Sequence, residues 1–321
     1  MGEFELIRNY FAAAPCASGG EGVALGIGDD CALLTVPLGE QLAVSTDTLV
    51  AGVHFSDPCD PFLLGQRSLA VAVSDLAAMG ARPFAFTLAM TLPTVSTDWL
   101  QAYAHGLNQM AQACGVALVG GDTTRGPLSL TLTVFGRVPT GLALTRGGAQ
   151  PGDLLCVGGE LGNAAGALPL VLGQRSAEPA IADPLLGHYW SPRPQIALGM
   201  ALRGEASAAM DISDGLLADC GHIAQASGVA IQVERDRLPL SKALQALLGR
   251  REAEHAALCG GDDYVLLFTL PPVRLPALMA EGWPIHVVGN IRAGTGVTLV
   301  DGDGHDITPQ IRGYQHFRET P

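Results

Sequence analysis

Six times along this chain of 321 residues, an apolar run gives way to an aspartate set among glycine, serine or threonine. The six clusters are Gly26-Ile27-Gly28-Asp29-Asp30, Ser45-Thr46-Asp47, Ser74-Asp75, Gly120-Gly121-Asp122-Thr123-Thr124, Asp211-Ile212-Ser213-Asp214-Gly215 and Gly260-Gly261-Asp262-Asp263. A fold built on this pattern must bring short strands and helices repeatedly to acidic turns, which points to an α/β (α+β) architecture. One such cluster is usually a turn or a cap, because aspartate bonds its own backbone two residues on. Six, with hardly a basic residue beside them, read as a site. Carboxylates so grouped repel one another and phosphate alike unless hard divalent cations lie between them, and Mg²⁺ is the expected cation.

The chain has one lysine, Lys242, in Ser241-Lys242-Ala243-Leu244 and far from any glycine-rich loop. A Walker A phosphate cradle is therefore excluded, and so is the protein-kinase arrangement with its lysine on a Val-Ala-Ile-Lys-like strand. If ATP binds here, metals and arginines must neutralise its phosphates. The net charge of −13 argues against nucleic acid or an anionic membrane as partner. The start, Met1-Gly2-Glu3-Phe4-Glu5-Leu6, lacks the basic and apolar stretches of a signal peptide, so a cytoplasmic location is expected. Seven cysteines without a Cys-x-x-Cys pair fit reduced thiols rather than disulfides or a zinc site.

Length favours about two domains, with the boundary in the Gly- and Arg-rich stretch around residues 140–150. We take 1–140 as the N-terminal domain and 141–321 as the C-terminal one. Within the first, the patterns predict helices over 62–79 and 97–114, stopped by Gly80 and Gly115, with Asp75 in the last turns of the former. An aspartate there opposes the helix dipole, so a cation partner is the natural compensation. A short strand over 41–45 is expected to deliver Asp47, an apolar strand over 116–119 to run into the turn at Asp122, and the alternating 128–134 to be half-buried. In the second domain a strand over 153–157, a Gly-rich helix start over 158–168 and a helix after Asp214 ending at Gly228 are predicted. The run Gly158–Gly166 has the wrong spacing for a dinucleotide loop and reads as a packing feature. A lone histidine such as His54 is usually a structural residue, and Arg146 is equally an anion ligand or a solvated charge.

In order and wording these clusters resemble the thiamine-monophosphate kinase family, of the superfamily that includes aminoimidazole ribonucleotide synthetase and selenophosphate synthetase. Further matching residues are Ser45-Thr46-Asp47-Thr48-Leu49-Val50, Gly52, His54-Phe55, Leu144-Thr145-Arg146 and the terminal Gly313-Tyr314 with His316-Phe317. The resemblance implies a two-domain PurM-like fold, a homodimer whose N-terminal sheets join in an intersubunit barrel, and ATP with several Mg²⁺ ions in a cleft lined by the acidic turns. It implies Asp30, Ser45, Thr46, Asp47, Asp75, Asp122, Asp211 and Asp214 as metal ligands. Nucleotide contacts would be His105, Gly121, Asp122, Arg146 and Ser213, and substrate contacts His54, Asp262 and Tyr314, with Phe317 as the alternative aromatic. Asp47, Asp75, Asp122, Arg146 and Asp211 would carry the catalysis. The family more often has Glu at the positions of Asp262 and Val265.

The reaction so implied is phosphorylation of thiamine monophosphate by ATP, giving thiamine diphosphate and ADP. Its nucleophile is a phosphate oxygen with a second pKa near ~6, so no general base is required. The chief barrier is bringing two polyanions together, where one pair of unit charges at ~4 Å repels by roughly 4 kcal/mol at an effective dielectric near 20. The alternatives are another ATP-using member of the superfamily, such as aminoimidazole ribonucleotide synthetase, a non-catalytic nucleotide- or metal-binding dimer, and a metal-dependent phosphohydrolase. Selenophosphate synthetase is disfavoured because no lysine accompanies Cys16.

Overall fold

The structure, a computed structural model, describes residues 3–310 and 313, and the chain divides into two compact units. The first unit comprises Met1–Ala77 and Ala81–Ala143, the second Ala78–Gly80 and Leu144–Pro321.

The first unit begins with a short helix α1 (Glu3–Leu6), which passes into a π-helical turn over Ile7–Ala12. Next come β1 (Val23–Leu25) and β2 (Leu33–Leu34), an antiparallel pair, and then β3 (Glu40–Val50), α2 (Pro61–Ala78), β4 (Arg82–Leu92), α3 (Thr97–Cys114), β5 (Ala117–Arg125) and β6 (Ser129–Pro139). The sheet order is β3-β6-β4-β5, with β4 and β5 parallel and the other neighbours antiparallel. In β6 the inward set Leu130, Leu132 and Val134 is fully buried and alternates with half-open residues, so one face of the sheet is core. That face meets α2, since a side chain added at Gly136 would lie 3.0 Å from Leu76.

Both predicted helices form. Asp60 caps α2 by accepting the Phe62 N–H at 2.8 Å, and Gly80 follows its end at φ +62°. Ser96 caps α3, which ends at the left-handed Gly115. The two helices cross where a glycine on each admits the other's backbone. A Cβ at Gly106 would stand 1.9 Å from the Phe62 carbonyl oxygen, and one at Gly65 2.3 Å from that of Tyr103.

Two of the acidic clusters are strands rather than turns. Ser45-Thr46-Asp47 lies in the middle of the eleven-residue β3, and Gly120-Gly121-Asp122-Thr123-Thr124 within β5. Their cross-strand partners hold them extended, Asp47 opposite Leu132 and Asp122 opposite Ala89. The glycines serve close approach: a Cβ at Gly121, which sits at φ +148°, would be 1.9 Å from the Leu88 carbonyl oxygen.

The second unit contains β7 (Leu154–Val157), α4 (Asn163–Val171), α5 (Pro179–Trp190), α6 (Ile196–Ala201), β8 (Ala208–Asp211), α7 (Leu216–Ser227), β9 (Ala230–Glu234), α8 (Lys242–Leu248), α9 (Arg250–Cys259), β10 (Leu266–Leu270), α10 (Leu275–Ala280), β11 (His286–Arg292) and β12 (Gly296–Val300). Its six strands run β12-β9-β11-β7-β10-β8, mixed because β12 and β9 are parallel. The central β10, Leu-Leu-Phe-Thr-Leu, is buried at every position, as a strand covered on both faces must be. Leu216, Leu217, Cys220, Ile223 and Ala224 of α7 join Ile231, Val233 and Leu267 in one core. All seven cysteines are free, and no described helix is long and apolar enough to cross a membrane.

Candidate active site

Strand pleating sorts the β3 cluster. Ser45 and Asp47, two residues apart, share the face that meets α2, and the Ser45 hydroxyl donates to the Asp75 carboxylate. Thr46 points to the other face, where its hydroxyl pairs with that of Thr133 at 2.9 Å; Thr48 and Thr131 repeat the arrangement. Of the three expected ligands in this cluster, Ser45 and Asp47 share a side-chain face with Asp75, and the Thr46 hydroxyl faces away from it. Asp122 lies in the row Thr48, Thr131, Ala89, Asp122, again on the threonine face. A cleft of about 670 Å³ joins Asp122, Gly121 and Gly120 to Asp29 and Asp30. Arg8, on the π-helical turn, is the single basic residue lining it among the described residues. Sequence reading missed Arg8 because nothing in Ile7-Arg8-Asn9 marks it; only the fold carries it to the acids.

His54 accepts the Val50 N–H at 3.0 Å through Nδ1, which places the proton of the neutral ring on Nε2. His105 stands apart from Asp75. Its ring meets Phe62 edge-on at 5.2 Å, and Phe62 is thirteen residues, about 20 Å of helix, from Asp75 on α2.

In the second unit the acids gather at one end of the sheet. β8 delivers the buried Asp211, and Ser213, Asp214 and Gly215 form the turn into α7. The 260–264 segment lies on this turn: the Asp262 N–H bonds the Ser213 carbonyl at 2.9 Å and the Tyr264 N–H that of Ile212 at 2.8 Å. Gly261 is required there, since a Cβ would meet the Ser213 carbonyl oxygen at 2.1 Å. Asp262 and Tyr264 both adopt left-handed backbone, at φ +69° and +50°, a conformation that functional segments hold against its cost. Aspartate tolerates it better than glutamate, which gives a backbone reason for Asp262 at this position. The Tyr264 hydroxyl donates to Asp262 Oδ1 at 3.0 Å and fixes its orientation. The Thr145 carbonyl accepts the Ala209 N–H at 2.8 Å, which sets Arg146 beside β8, two residues short of Asp211. Gly313 packs close to Asp214 and Ala218, while Tyr314 and Phe317 lie outside the described residues.

Two buried aspartates do different work. Asp263 accepts the Gly162 N–H at 2.7 Å and also engages those of Asn163 and Ala164, so it caps α4; the Gly158–Gly166 run is a packed helix start, as its spacing implied. Asp219 accepts the N–H groups of Ser213, Asp214 and Gly215. Burial, reinforced by Asp214 and Asp211, pushes the Asp219 pKa up to about 8.

Burial likewise raises Asp263 from 3.8 to about 7. Native protein then holds a proton that the unfolded chain has released, so this group's contribution to stability falls as pH climbs from about 4 to about 7 and is constant above. Asp263→Asn retains the acceptor and removes the titration. Its stability, followed by thermal melting, is expected to gain on the parent's as pH rises to about 7, by at most about 1.4 kcal/mol per pH unit, and then to level. A margin independent of pH contradicts the assignment.

Residues 28–138 match the family model for the AIR synthase related protein, N-terminal domain, and residues 150–302 that for the C-terminal domain. The thiamine-monophosphate kinase of Escherichia coli K12 is 44% identical over 321 residues, covering 98% of each chain, and that of Salmonella typhimurium 45% identical at the same coverage. The chain belongs to the thiamine-monophosphate kinase family. A solved kinase of this family, from Stenotrophomonas maltophilia, superposes with a TM-score of 0.82 at 47% identity, over 87% of this chain and 91% of that one. AaThiL, solved as a complex with AMPPCP and TMP, gives a TM-score of 0.80 at 29% identity, over 88% and 89% of the two chains. The hydrogenase maturation protein HypE of Escherichia coli, 21% identical with a TM-score of 0.78 over 99% of each chain, shares the fold. The fold expected for the family, two mixed α/β units, is present; the sheet of the first unit is open, with β3 and β5 at its edges.

Proposed function

We propose that this protein transfers the γ-phosphoryl group of ATP to thiamine monophosphate, forming thiamine diphosphate and ADP. The observation that carries the reading is the full-length match to kinases so named, joined to two groups of acids held on regular structure. AaThiL, with an ATP analogue and TMP bound, supports the same substrates for this chain.

The donors fit a hard divalent cation. They are carboxylate and hydroxyl oxygens, and Asp214 and Asp211 stand close enough to Asp219 to raise its pKa, a repulsion that a cation would relieve. Ser45, Asp47 and Asp75 on one face of the first unit's sheet, Asp30 and Asp122 at the cleft they line, and Asp211 and Asp214 in the second unit would hold Mg²⁺, with Thr46 able to contribute its main-chain oxygen. Bound there, Mg²⁺ would neutralise the phosphates and align them. The chain's own groups bind and orient: Gly121, Ser213 and Arg146 the nucleotide, His54, Asp262 and Tyr314 the thiamine phosphate. The acceptor oxygen is already ionised near neutral pH, so catalysis is positioning, without a covalent phosphoenzyme.

The 1–140 domain would bind ATP and dimerise, and 141–321 complete the site. An exposed sheet face carrying Leu42, Val44 and the threonine pairs supports a homodimer that covers it. ADP release by purified protein with Mg-ATP, with and without thiamine monophosphate, tests the activity. Acceptor-dependent ADP matched by thiamine diphosphate is expected. ADP release without acceptor dependence, or none at all, overturns the reading.

A further inference from the structure

Helix α7 has no cap of the usual kind. Its N-cap residue, Gly215, sits at φ +115° and carries no side chain, and a Cβ there would approach the Cys259 and Gly260 backbone at 2.9 Å. The N–H groups of the turn that leads into the helix are gathered by a residue inside it. Asp219 Oδ2 lies 3.2 Å from the Ser213 nitrogen, 3.2 Å from that of Asp214 and 3.1 Å from that of Gly215. The carboxylate is 1% exposed, and its other oxygen, Oδ1, has no hydrogen-bond partner among the described residues. A buried acid beside two further acids is a costly way to hold a turn.

We propose that Asp219 is a positioning residue: by holding three consecutive main-chain N–H groups it fixes the Ser213–Gly215 turn, and so aims Ser213 and Asp214 at the ligand. The turn is clamped from both sides. Asp219 takes its N–H groups, and Asp262 and Tyr264 bind the carbonyls of Ser213 and Ile212. Neither clamp alone determines where the Asp214 side chain leaves the backbone; the pair does. The assignment rests on the kinase reading for what the turn binds, but the geometry of the clamp does not.

The test compares Asp219→Asn, which keeps an acceptor oxygen, with Asp219→Ala, which removes it. Amide hydrogen exchange at residues 213–215 is read in protein free of metal and nucleotide, and the Mg²⁺ concentration for half-maximal response is read from both the shift in melting temperature and ADP release. For Asp219→Ala we expect exchange at the three amides to accelerate at least about tenfold and the Mg²⁺ half-saturation to rise about 10- to 100-fold. For Asp219→Asn both stay within about threefold of the parent. Unchanged exchange in Asp219→Ala overturns the clamp. An Asn variant as impaired in Mg²⁺ response as the Ala variant also overturns it, showing that charge matters and that Asp219 is itself a ligand with Asp214 and His222, its neighbours in space. The exchange arm needs no substrate, so a protein inactive on thiamine monophosphate would sink the kinase reading and leave the clamp testable. If Asp219→Ala fails to fold, Asp219→Ser, whose hydroxyl is too short to span the three amides, takes its place.

Discussion

Asp47→Asn is expected to lower kcat/KM for phosphorylation of thiamine monophosphate by about 10²–10³-fold while the melting temperature moves little. The side chain stands mid-strand in β3, on the face where Ser45 donates to Asp75, and asparagine replaces it atom for atom. On the proposed function, what is lost is one negative charge in a group that would hold cations against two polyanions. Such a loss falls on the transition state, where the transferring phosphoryl group needs the most neutralisation. Turnover within a factor of a few of the parent would remove Asp47 from the site. A large drop in melting temperature would instead make it a structural residue.

Gly106→Ala should have the largest effect on stability, at least about 3 kcal/mol, or roughly 6 °C in melting temperature. The added methyl would lie 1.9 Å from the Phe62 carbonyl oxygen, and backbone, unlike a side-chain tip, cannot swing aside. Relief requires parting α2 from α3, which also disturbs the buried Ser68–Tyr103 hydroxyl pair at 3.0 Å. Gly65→Ala, mirrored across the crossing, should behave alike. Because Asp75 rides on α2, its carboxylate would shift with the helix, and activity should fall below what the loss of folded protein explains. A change under about 1 °C would mean the helices separate freely.

Helices were the most legible elements. α2 and α3 each carry apolar periodicity and a terminal glycine, and both ends fall within about a residue of the sequence reading. Strands were legible in kind and too short in extent, because polar residues such as Ser45, Thr46 and Asp47 continue β3 only through pairing with β6, contacts more than eighty residues distant. For the same reason the pleat could not be seen, so Thr46 and Asp47 read as one cluster though they face opposite ways. Asp263 and Asp219 show the other limit. In sequence, Asp263 stands with Asp262 and Asp219 looks like any helical acid; only the fold makes one the cap of α4 and the other the clamp of a turn. Arg8 carried no signal at all.

Strand β3 closes one side of its sheet, and along that edge eleven residues have a neighbour on one flank only. Such an edge is a template for any other extended chain, and Leu42 and Val44, about half exposed, lie along it. What stands guard is negative charge: Glu40 and Asp47 within the strand, and an acidic surplus over the whole surface. The net charge of −13 keeps the molecules apart. With a sequence isoelectric point near 4.9, mild acid removes the mutual repulsion of the molecules while the sticky edge stays as it was. The colloidal behaviour of this protein is thus governed by the same excess of carboxylates on which the proposed cation sites draw, and it should be handled well above pH 5.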